Sequence, residues 1–343
     1  MRIRGILIIA VFVGLAAALG AANVVAQEHY KGETVRFVVG FSAGGGFDTY
    51  TRAVARHFGK HLPGKPAVIV ENMPGAGSLI AANHIYKVAK PDGLTVGNFI
   101  SGLLVQQIFR TAGIEFEGQK FEYIGVGAKY VPVCFFSKAS GITSMDKWMA
   151  APAPLKLGGT APGSSTDDVP KILSATLGLP LRVVSGYKGF PEVKLAIEGG
   201  ELGGACFGWD TLKANWQSGL KSGGVSVVLQ TVSEPHPDLP KVPLAISYAR
   251  TEEARQLIRV GIHDLNAILR LYAIPPGTPK ALVQVMRNAF TETMKDPEFL
   301  KEAQKSKLDV DPISGEEVEK TVKRLSQLSP TLVSRLKEIV SSK

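Results

Sequence analysis

The sequence predicts an α/β fold built as two lobes, each a mostly parallel sheet flanked by helices. From Glu33 onwards, short apolar runs alternate with glycine-rich loops and amphipathic stretches, which is the pattern of repeated strand, loop and helix units. The pattern pauses after Phe136 and restarts at Leu155, which indicates a second sheet. The chain has 343 residues, of which 45% are hydrophobic, enough for two cores rather than one small module.

The first 26 residues have the features of a secretory signal. Arg2 and Arg4 precede an apolar run over residues 5–20, and small residues lead to Val24-Val25-Ala26. We therefore predict export and cleavage after Ala26. A membrane anchor is the alternative, because the run over residues 6–25 approaches the length that spans a bilayer.

The charge balance favours a small anionic partner or simple solubility over nucleic acid. The whole chain carries a formal net charge of +9, and removal of residues 1–26 takes away only two of its basic side chains. The remaining excess is spread thinly along the chain, without the basic clusters that a nucleic-acid surface needs.

The first lobe is predicted to begin with a buried strand over residues 35–39. A glycine-rich loop over residues 40–47 follows, and an amphipathic helix then ends near Pro63. Ser78 is expected to cap the second helix. Further strands are expected over residues 67–70, 94–99, 123–127 and 130–136.

The second lobe is predicted to span residues 132–245, and the first to combine residues 27–131 with 246–343. Strands are expected in the second lobe over residues 155–157, 181–184, 205–207 and 225–229, with helices from Asp167 or Asp168 to Leu177 and over residues 191–197. The tail is predicted to return to the first lobe through helices over residues 252–260, 280–295, 297–305 and 315–339 and a strand over 269–274. Two crossing segments would then make a hinged cleft that suits a ligand.

The two cysteines are more simply explained as buried strand thiols. Cys134 and Cys206 both lie in apolar runs and show no metal-binding spacing. An oxidising compartment would permit a disulfide between them, so that alternative stays open. His57 and His61 are one helical turn apart but lack a third nearby ligand, so we predict no metal site.

The candidate ligand loops follow the strands, where ligands sit in open parallel sheets. Glycines let the backbone approach a bound group, and a helix N-terminus favours an anion, so the loop after the first strand is a predicted carboxylate or phosphate cradle. Asp48 is expected to cap the helix or to accept a hydrogen bond from a ligand. The predicted ligand-binding residues of this loop are Ser42, Ala43, Gly44, Gly45, Phe47 and Asp48.

A second loop offers the same chemistry on the other lobe. It combines glycine with hydroxyl side chains at a helix start, although these residues could also serve only to cap the helix and turn the chain. Two further strand ends add a charge, a hydroxyl and a flat aromatic ring. The predicted binding residues here are Gly163, Ser164, Ser165, Thr166, Asp167, Tyr187, Lys188, Trp209 and Asp210.

The sequence gives less support to the hypothesis that the protein is an enzyme. Residues 35–71 imitate a dinucleotide fold, but the glycines are consecutive and do not follow G-x-G-x-x-G. Ser164 as a nucleophile has no base placed beside it by the sequence. We therefore predict no catalytic residue, no cofactor and no enzymatic activity.

Several motifs together resemble the extracytoplasmic solute-binding proteins of the tripartite tricarboxylate transporters, also called the Bug family. The combination is specific: a G-G-G-x-D loop, then E-N-x-P-G-A-G over residues 71–77 and P-D-G-x-T over residues 91–95. The similarity continues through residues 121–125, 187–189, 199–207 and 275–279, so it covers nearly all of the chain after residue 26.

The resemblance implies a periplasmic protein with the type II Venus flytrap fold. Such a protein binds a small carboxylate without catalysis and delivers it to a permease with one large and one small membrane subunit. The family grips a carboxylate through backbone amides and ordered waters, and carried over to this chain those positions are residues 42–48 and 163–166, with Ser101 from the third strand end. We expect a monomer, and a ligand sensor for a signalling partner is the alternative role.

Three positions depart from the family pattern. Asp167 replaces the usual His, Gly40 replaces a Pro, and Phe47 replaces a small residue. An acid at a carboxylate-binding helix start would repel the anion unless it turned away, and Phe47 would narrow the pocket or stack on an aromatic ligand. Together with the segment over residues 205–210, these departures argue against the usual di- and tricarboxylates as a class, and we expect a mono- or dicarboxylate, with an aromatic acid as an option.

Overall fold

A computed structural model describes residues 28–161 and 163–342. The predicted signal sequence and its cleavage site lie outside these described residues. Within them, no helix combines the length and the apolar character needed to cross a membrane.

The first sheet has six strands in the order β11-β4-β10-β3-β1-β2. β1 pairs in parallel with β2 and β3, whereas β10 runs antiparallel to both β3 and β4. The reversed direction of β10 places its first residue beside the carboxyl end of β3. The strands are β1 (Thr34–Val39), β2 (Ala67–Asn72), β3 (Thr95–Ile100), β4 (Glu122–Val126), β10 (Arg270–Ile274) and β11 (Ile313–Ser314).

The second sheet has five strands in the order β7-β6-β8-β5-β9. β6 is parallel to β7 and β8, and β5 is the one reversed strand, antiparallel to β8 and β9. Both sheets are therefore mixed, with four of six strands in the first and four of five in the second running in the same direction, and the predicted two-lobed α/β class is confirmed. The strands are β5 (Pro132–Ser137), β6 (Leu155–Gly158), β7 (Leu181–Val184), β8 (Gly204–Gly208) and β9 (Val225–Gln230).

Helices cover both faces of each sheet because alternate strand residues are apolar on both sides. In β1, Val35 and Phe37 pack into one core and Val38 packs into the core on the opposite face. The helices are α1 (Gly46–Phe58), α2 (Leu79–Lys87), α3 (Gly102–Ile108), α4 (Met145–Met149), α5 (Ser165–Leu177), α6 (Phe190–Glu198), α7 (Trp209–Asn215), α8 (Gln217–Lys221), α9 (Glu252–Ile258), α10 (Lys280–Lys295), α11 (Pro297–Lys305), α12 (Gly315–Ser326) and α13 (Pro330–Ser341). α9 continues through a π-helical segment, Arg259–Asp264.

The predicted single helix over residues 315–339 is in fact two helices, α12 and α13. Pro330 has no N–H to continue a helix and forces the residue before it out of the helical region. Ser329 accordingly has an extended backbone, and its side chain caps α13 by accepting a hydrogen bond from the N–H of Leu332.

The tail was predicted to pack on the first sheet, but only part of it does. Leu257 in α9 and Leu336 in α13 are buried in the same core as Ile172 of α5, next to the second sheet. α12, by contrast, packs against β4 of the first sheet. The chain therefore crosses between the two sheets three times. The first crossing follows β4, the second precedes β10, and the third lies between α12 and α13.

Ser78 does not cap α2. Its side chain makes no capping bond, and its Oγ accepts a hydrogen bond from the N–H of Ile100 at 3.1 Å. The side chain is completely buried, so it ties the loop after β2 to the end of β3.

Cys134 and Cys206 form a disulfide, contrary to the prediction of free thiols. The two residues are direct partners in the register of β5 and β8, and both are buried. The apolar runs that suggested packed thiols are adjacent strands, and antiparallel pairing brings the two side chains together.

Candidate functional site

The glycine loop after β1 is open to solvent. Residues 42–46 are all exposed, among them the predicted Ser42 and Ala43, and Gly44 has a φ of 80°, which a glycine adopts without strain. Gly45 is the N-cap residue of α1 and offers no side chain to cap it. The first amides of α1 thus present N–H groups and the positive end of the helix dipole at an accessible position.

Asp48 shapes this loop and is not an N-cap. It is the third residue of α1, within the first turn, and is only 3% exposed. Its carboxylate accepts hydrogen bonds from the N–H of Gly44 at 2.8 Å, from Arg52 Nε at 2.9 Å and from Asn72 Nδ2 at 2.9 Å. Burial would raise the pKa of Asp48, but these hydrogen bonds and the positive charge of Arg52 outweigh it, so the pKa is lowered. The carboxylate is held on the loop itself.

Arg270 brings a positive charge to the same loop. It is the first residue of β10, and a Cβ atom added to Gly46 would lie 3.5 Å from its Nη2 atom. Its guanidinium carbon lies 5.6 Å from the ring centre of Phe47 and 5.4 Å from that of Tyr130. Phe47 in turn stacks on Phe41, with ring centres 4.3 Å apart.

Arg270 is not among the predicted residues, because ligand contacts were expected only after strands and Arg270 begins one. An antiparallel strand begins at the edge where its parallel neighbours end. The signal was a basic residue at the start of the apolar run over residues 270–274, in a sheet whose direction for that strand the sequence did not specify.

Asp210 faces Arg270 from the second sheet. Its Oδ2 atom lies 3.4 Å from Arg270 Nη2, and its Oδ1 accepts hydrogen bonds from the N–H and hydroxyl of Thr211. Asp210 also borders a cavity of about 540 Å³ between α7 and the segment after α11. The predicted residues Phe47 and Asp210 are therefore brought together, with Arg270 between them.

The serine-rich loop starts α5 after β6. Ser164 is the N-cap residue without a side-chain capping bond; its hydroxyl donates to the carbonyl of Ala161 at 2.6 Å. Thr166 Oγ1 lies 2.8 Å from Ser164 Oγ and accepts a hydrogen bond from the N–H of Thr160 at 3.0 Å. Hydroxyl groups and a free helix start are gathered here, as the sequence predicts.

Asp167 is turned away from solvent. It is fully buried, and Ser185 Oγ donates a hydrogen bond to its Oδ2 atom. A side chain on Gly159 would collide with the Asp167 carboxylate, so that glycine makes room for it beneath the loop. The Asp167 Oδ1 atom lies 3.4 Å from Ser164 Oγ and 3.5 Å from Thr166 Oγ1, so the acid sits directly behind the hydroxyls of the loop.

The segment before β10 connects the serine-rich loop to the end of β3. Ser165 Oγ donates to Asn266 Oδ1 at 2.8 Å, and Ser101 Oγ donates to the carbonyl of Leu265 at 2.7 Å. A Cβ atom on Gly102 would lie 2.8 Å from the carbonyl oxygen of Gly163. Ser101 is buried and its hydroxyl is already used on this contact.

Three predicted residues lie away from this cluster. The Tyr187 hydroxyl donates to Glu201, and the Lys188 side chain is exposed while its N–H bonds Glu192. Trp209 is buried in the core of the second lobe, with its indole N–H donated to Asp238 at 2.9 Å. The Trp209 ring belongs to the hydrophobic core of the lobe and does not form an exposed wall of a binding pocket.

His57 at the end of α1 and His61 in the 3-10 helix that follows it contact acidic residues of α11 and its N-cap. His57 Nε2 lies 2.8 Å from Glu302, and His61 Nε2 lies 2.7 Å from Asp296. The fold also brings Asp296 and Glu298 near His57, a grouping that the sequence spacing did not suggest. Lys60 lies 2.6 Å from Asp296 and 2.5 Å from Glu298, which makes this group an ion-pair network between two helices.

Two α/β lobes, each with a loop and an uncapped helix start after one of its strands, define a class, the two-lobed solute-binding proteins. Residues 50–337 match the profile of the tripartite tricarboxylate transporter family receptor, and the chain belongs to this family. Its members are periplasmic binding receptors, and the protein is a receptor and not an enzyme.

Solved structures agree with this fold. The chain is similar to the periplasmic binding protein BugD, with 20% identity and a TM-score of 0.65 over 89% of this chain and 97% of that one. It is similar to MatC from Rhodopseudomonas palustris with bound malate, with 19% identity and a TM-score of 0.63 over 90% and 99%. A second R. palustris protein, solved with adipate, has 18% identity and a TM-score of 0.66 over 90% and 97%. No curated protein matches the sequence.

Proposed function

We propose that the protein binds a small organic carboxylate between its lobes and delivers it to a tripartite tricarboxylate-type membrane transporter. The observation that carries the proposal is the pair of uncapped helix starts, α1 at Gly45 and α5 at Ser164, each placed after a strand of a different sheet. Their N–H groups and dipoles favour an anion. The bound malate and adipate of two structural relatives support a carboxylate as that anion.

The acids near these loops are arranged so that they leave the helix starts free. Asp48 is neutralised by Arg52 and bonded to its own loop, and Asp167 is buried beneath the second loop. A carboxylate ligand would therefore meet amides and hydroxyls first, with the buried Asp167 carboxylate behind the Ser164 hydroxyl at 3.4 Å. We propose residues 42–47 and 163–166 as the binding loops.

We further propose that the protein acts in the periplasm as a monomer and presents its closed lobes to one large and one small membrane subunit. Support comes from the family and from the signal-like residues 1–26. Mass spectrometry of the protein recovered from a periplasmic extract should show a chain that begins at Gln27. A chain that still begins at Met1 would contradict cleavage after Ala26.

A thermal-shift screen tests the ligand class. Residues 27–343 would be heated with malate, adipate, benzoate, amino acids and nicotinamide nucleotides. A carboxylate present at about one hundred times its dissociation constant adds roughly 2.7 kcal/mol of stability, which moves the melting temperature by a few degrees. Stabilisation by a nucleotide or an amino acid, with none by any simple carboxylate, would overturn the proposal.

Gly45→Val tests the glycine loop. Gly45 has a φ of −77°, and a Cβ atom there would approach only the carbonyl oxygen of Ser42, at 3.4 Å. The fold should accept valine, with a change in unfolding free energy below about 1 kcal/mol. The valine methyls would occupy the space above the amides, so we expect at least a tenfold loss of affinity by calorimetry.

Gly224→Val is the matched control, because Gly224 precedes β9 at the opposite edge of the second sheet and also has room for a Cβ atom. It should leave affinity unchanged. Equal affinity in the wild type and Gly45→Val would remove the first loop from the site.

A further inference from the structure

Arg270 is a positively charged side chain beside the glycine loop, and it uses only part of its hydrogen-bonding capacity. The side chain is 13% exposed, and its Nε atom is buried without a hydrogen-bond partner among the described residues. Its contacts to Asp210 are 3.4 and 3.5 Å, longer than the 2.7 to 2.9 Å typical of a charge-assisted hydrogen bond. A buried donor without a partner is uncommon in folded proteins and asks for an explanation.

The surroundings fix the plane of the guanidinium group. Phe47 and Tyr130 lie within 5.6 Å of it, and β10 is an interior strand, so the base of the side chain is rigid. A guanidinium group of fixed orientation binds a planar carboxylate through two parallel hydrogen bonds.

The position of Arg270 adds a second positive source beside the start of α1. Its Nη2 atom lies next to Gly46, where the helix dipole is also positive. Two positive sources side by side repel each other unless an anion lies between them. In this structure the only side-chain carboxylate bonded to Arg270 among the described residues is Asp210, which comes from the other sheet.

We infer that Arg270 is the counter-ion of the ligand carboxylate and that Asp210 is paired with Arg270 until the ligand displaces Asp210. This inference rests on the proposed function and specifies the group that recognises the ligand's charge. The ligand's planar carboxylate would bridge the first amides of α1 and the Arg270 fork. Asp210 is 26% exposed, so its carboxylate can be released to water when the ligand arrives.

The test measures the affinity for adipate and benzoate, and for their neutral amides adipamide and benzamide, in four proteins. Arg270→Gln should weaken carboxylate binding at least tenfold and bring the ratio of carboxylate to amide affinity close to one, which a merely structural role would not do. Arg270→Lys keeps the positive charge but lacks the two-pronged guanidinium group, so its carboxylate affinity should lie between those of the wild type and Arg270→Gln. Asp210→Asn removes the competing anion and should tighten carboxylate binding about fivefold.

Lys213→Gln is the control for net charge. Lys213 also lies near Asp210 at the cavity, but its ammonium pairs with Asp238 at 2.8 Å and does not contact Arg270. It should change the affinity less than twofold. Circular dichroism and melting temperatures would show that each variant is folded.

The outcomes separate the two hypotheses. Carboxylate binding that is unchanged in Arg270→Gln would overturn the role of Arg270 and leave the proposed function standing. Weaker binding in Asp210→Asn, as large as that in Arg270→Gln, would overturn the displacement. Absence of carboxylate binding in every variant and in the wild type would overturn the proposed function and this inference together.

Discussion

Asp168 is a carboxyl group whose ionisation the fold opposes. It follows the buried Asp167, and its Oδ1 atom accepts the N–H of Gly163 at 3.2 Å. Burial raises the pKa of Asp168 to about 7; the Gly163 hydrogen bond opposes the rise, and Asp167 adds to it. Its neutral form is therefore the one that the folded state favours.

Asp168→Asn should stabilise the protein at alkaline pH. The contribution of Asp168 to stability is fully present below its unfolded pKa of about 3.9 and is lost as the pH rises to about 7. The stability gain of the asparagine variant should therefore grow from pH 4 to pH 7 and then level off. Urea denaturation at pH 4.5, 6 and 8 measures it, and a gain that is independent of pH would contradict the prediction.

Asp48→Asn should show the opposite trend. The pKa of Asp48 is lowered in the fold, so its stabilising contribution is present above an unfolded pKa of about 3.9 and is lost as the pH falls. The variant should be less stable than the wild type at pH 7, with the deficit shrinking below pH 4. Guanidinium titrations at pH 3 and pH 7 test this, and a deficit of equal size at both would place its cause in packing instead.

At the residue scale the sequence located the loops but not the partners within them. Glycines and a helix start mark residues 42–48 in the sequence alone. The bond from Gly44 to Asp48, and the approach of Arg270 to Gly46, depend on chain segments far apart in sequence. Side-chain partners of this kind follow from the sheet order, which local patterns do not encode.

At the scale of elements, continuous apolar runs predicted the strands well because parallel strands are buried on both faces. The short helices α3, α4, α7 and α8 were missed. They have five to seven residues, too few for a clear helical period. The break at Pro330 shows the reverse error, in which an amphipathic pattern continued across a residue that ends a helix.

The disulfide between β5 and β8 should contribute to stability through the chain that it closes. Cys134 and Cys206 are 72 residues apart, and closing a loop of that length removes about 4 kcal/mol of unfolded-chain entropy in the simplest treatment. Reduction should lower the unfolding free energy by about 2 to 4 kcal/mol. A variant with both cysteines changed to alanine should not respond to reductant, and two titratable thiols in the denatured, unreduced protein would contradict the disulfide.

At the scale of the molecule, the chain crosses three times between the two sheets and their cores. The sequence predicted two sheets and a cleft because the strand pattern restarts. It did not predict that α9 and α13 would leave the first sheet, since an amphipathic helix does not specify which surface its apolar face will cover.

The third crossing gives α13 a role in holding α5, and therefore the serine-rich loop. Leu336 is 1% exposed and lies against Gly261 and the core around Ile172. Lys171 Nζ of α5 donates to the carbonyls of Val340 and Ser342 at the end of α13.

Removal of residues 329–343 should therefore destabilise the core next to the second sheet and leave the first sheet folded. Hydrogen exchange should show lost protection in α5 and α9, while β1, β3 and β10 keep theirs, because Leu336 and Ile339 of α13 are buried in the core that contains α5 and α9. Leu336→Ala is the milder variant, with an expected loss of about 2 to 4 kcal/mol from the cavity it leaves. Uniform loss of protection across both sheets would mean that the two sheets unfold as one unit, and unchanged protection in α5 would mean that α13 is dispensable for the loop that α5 presents.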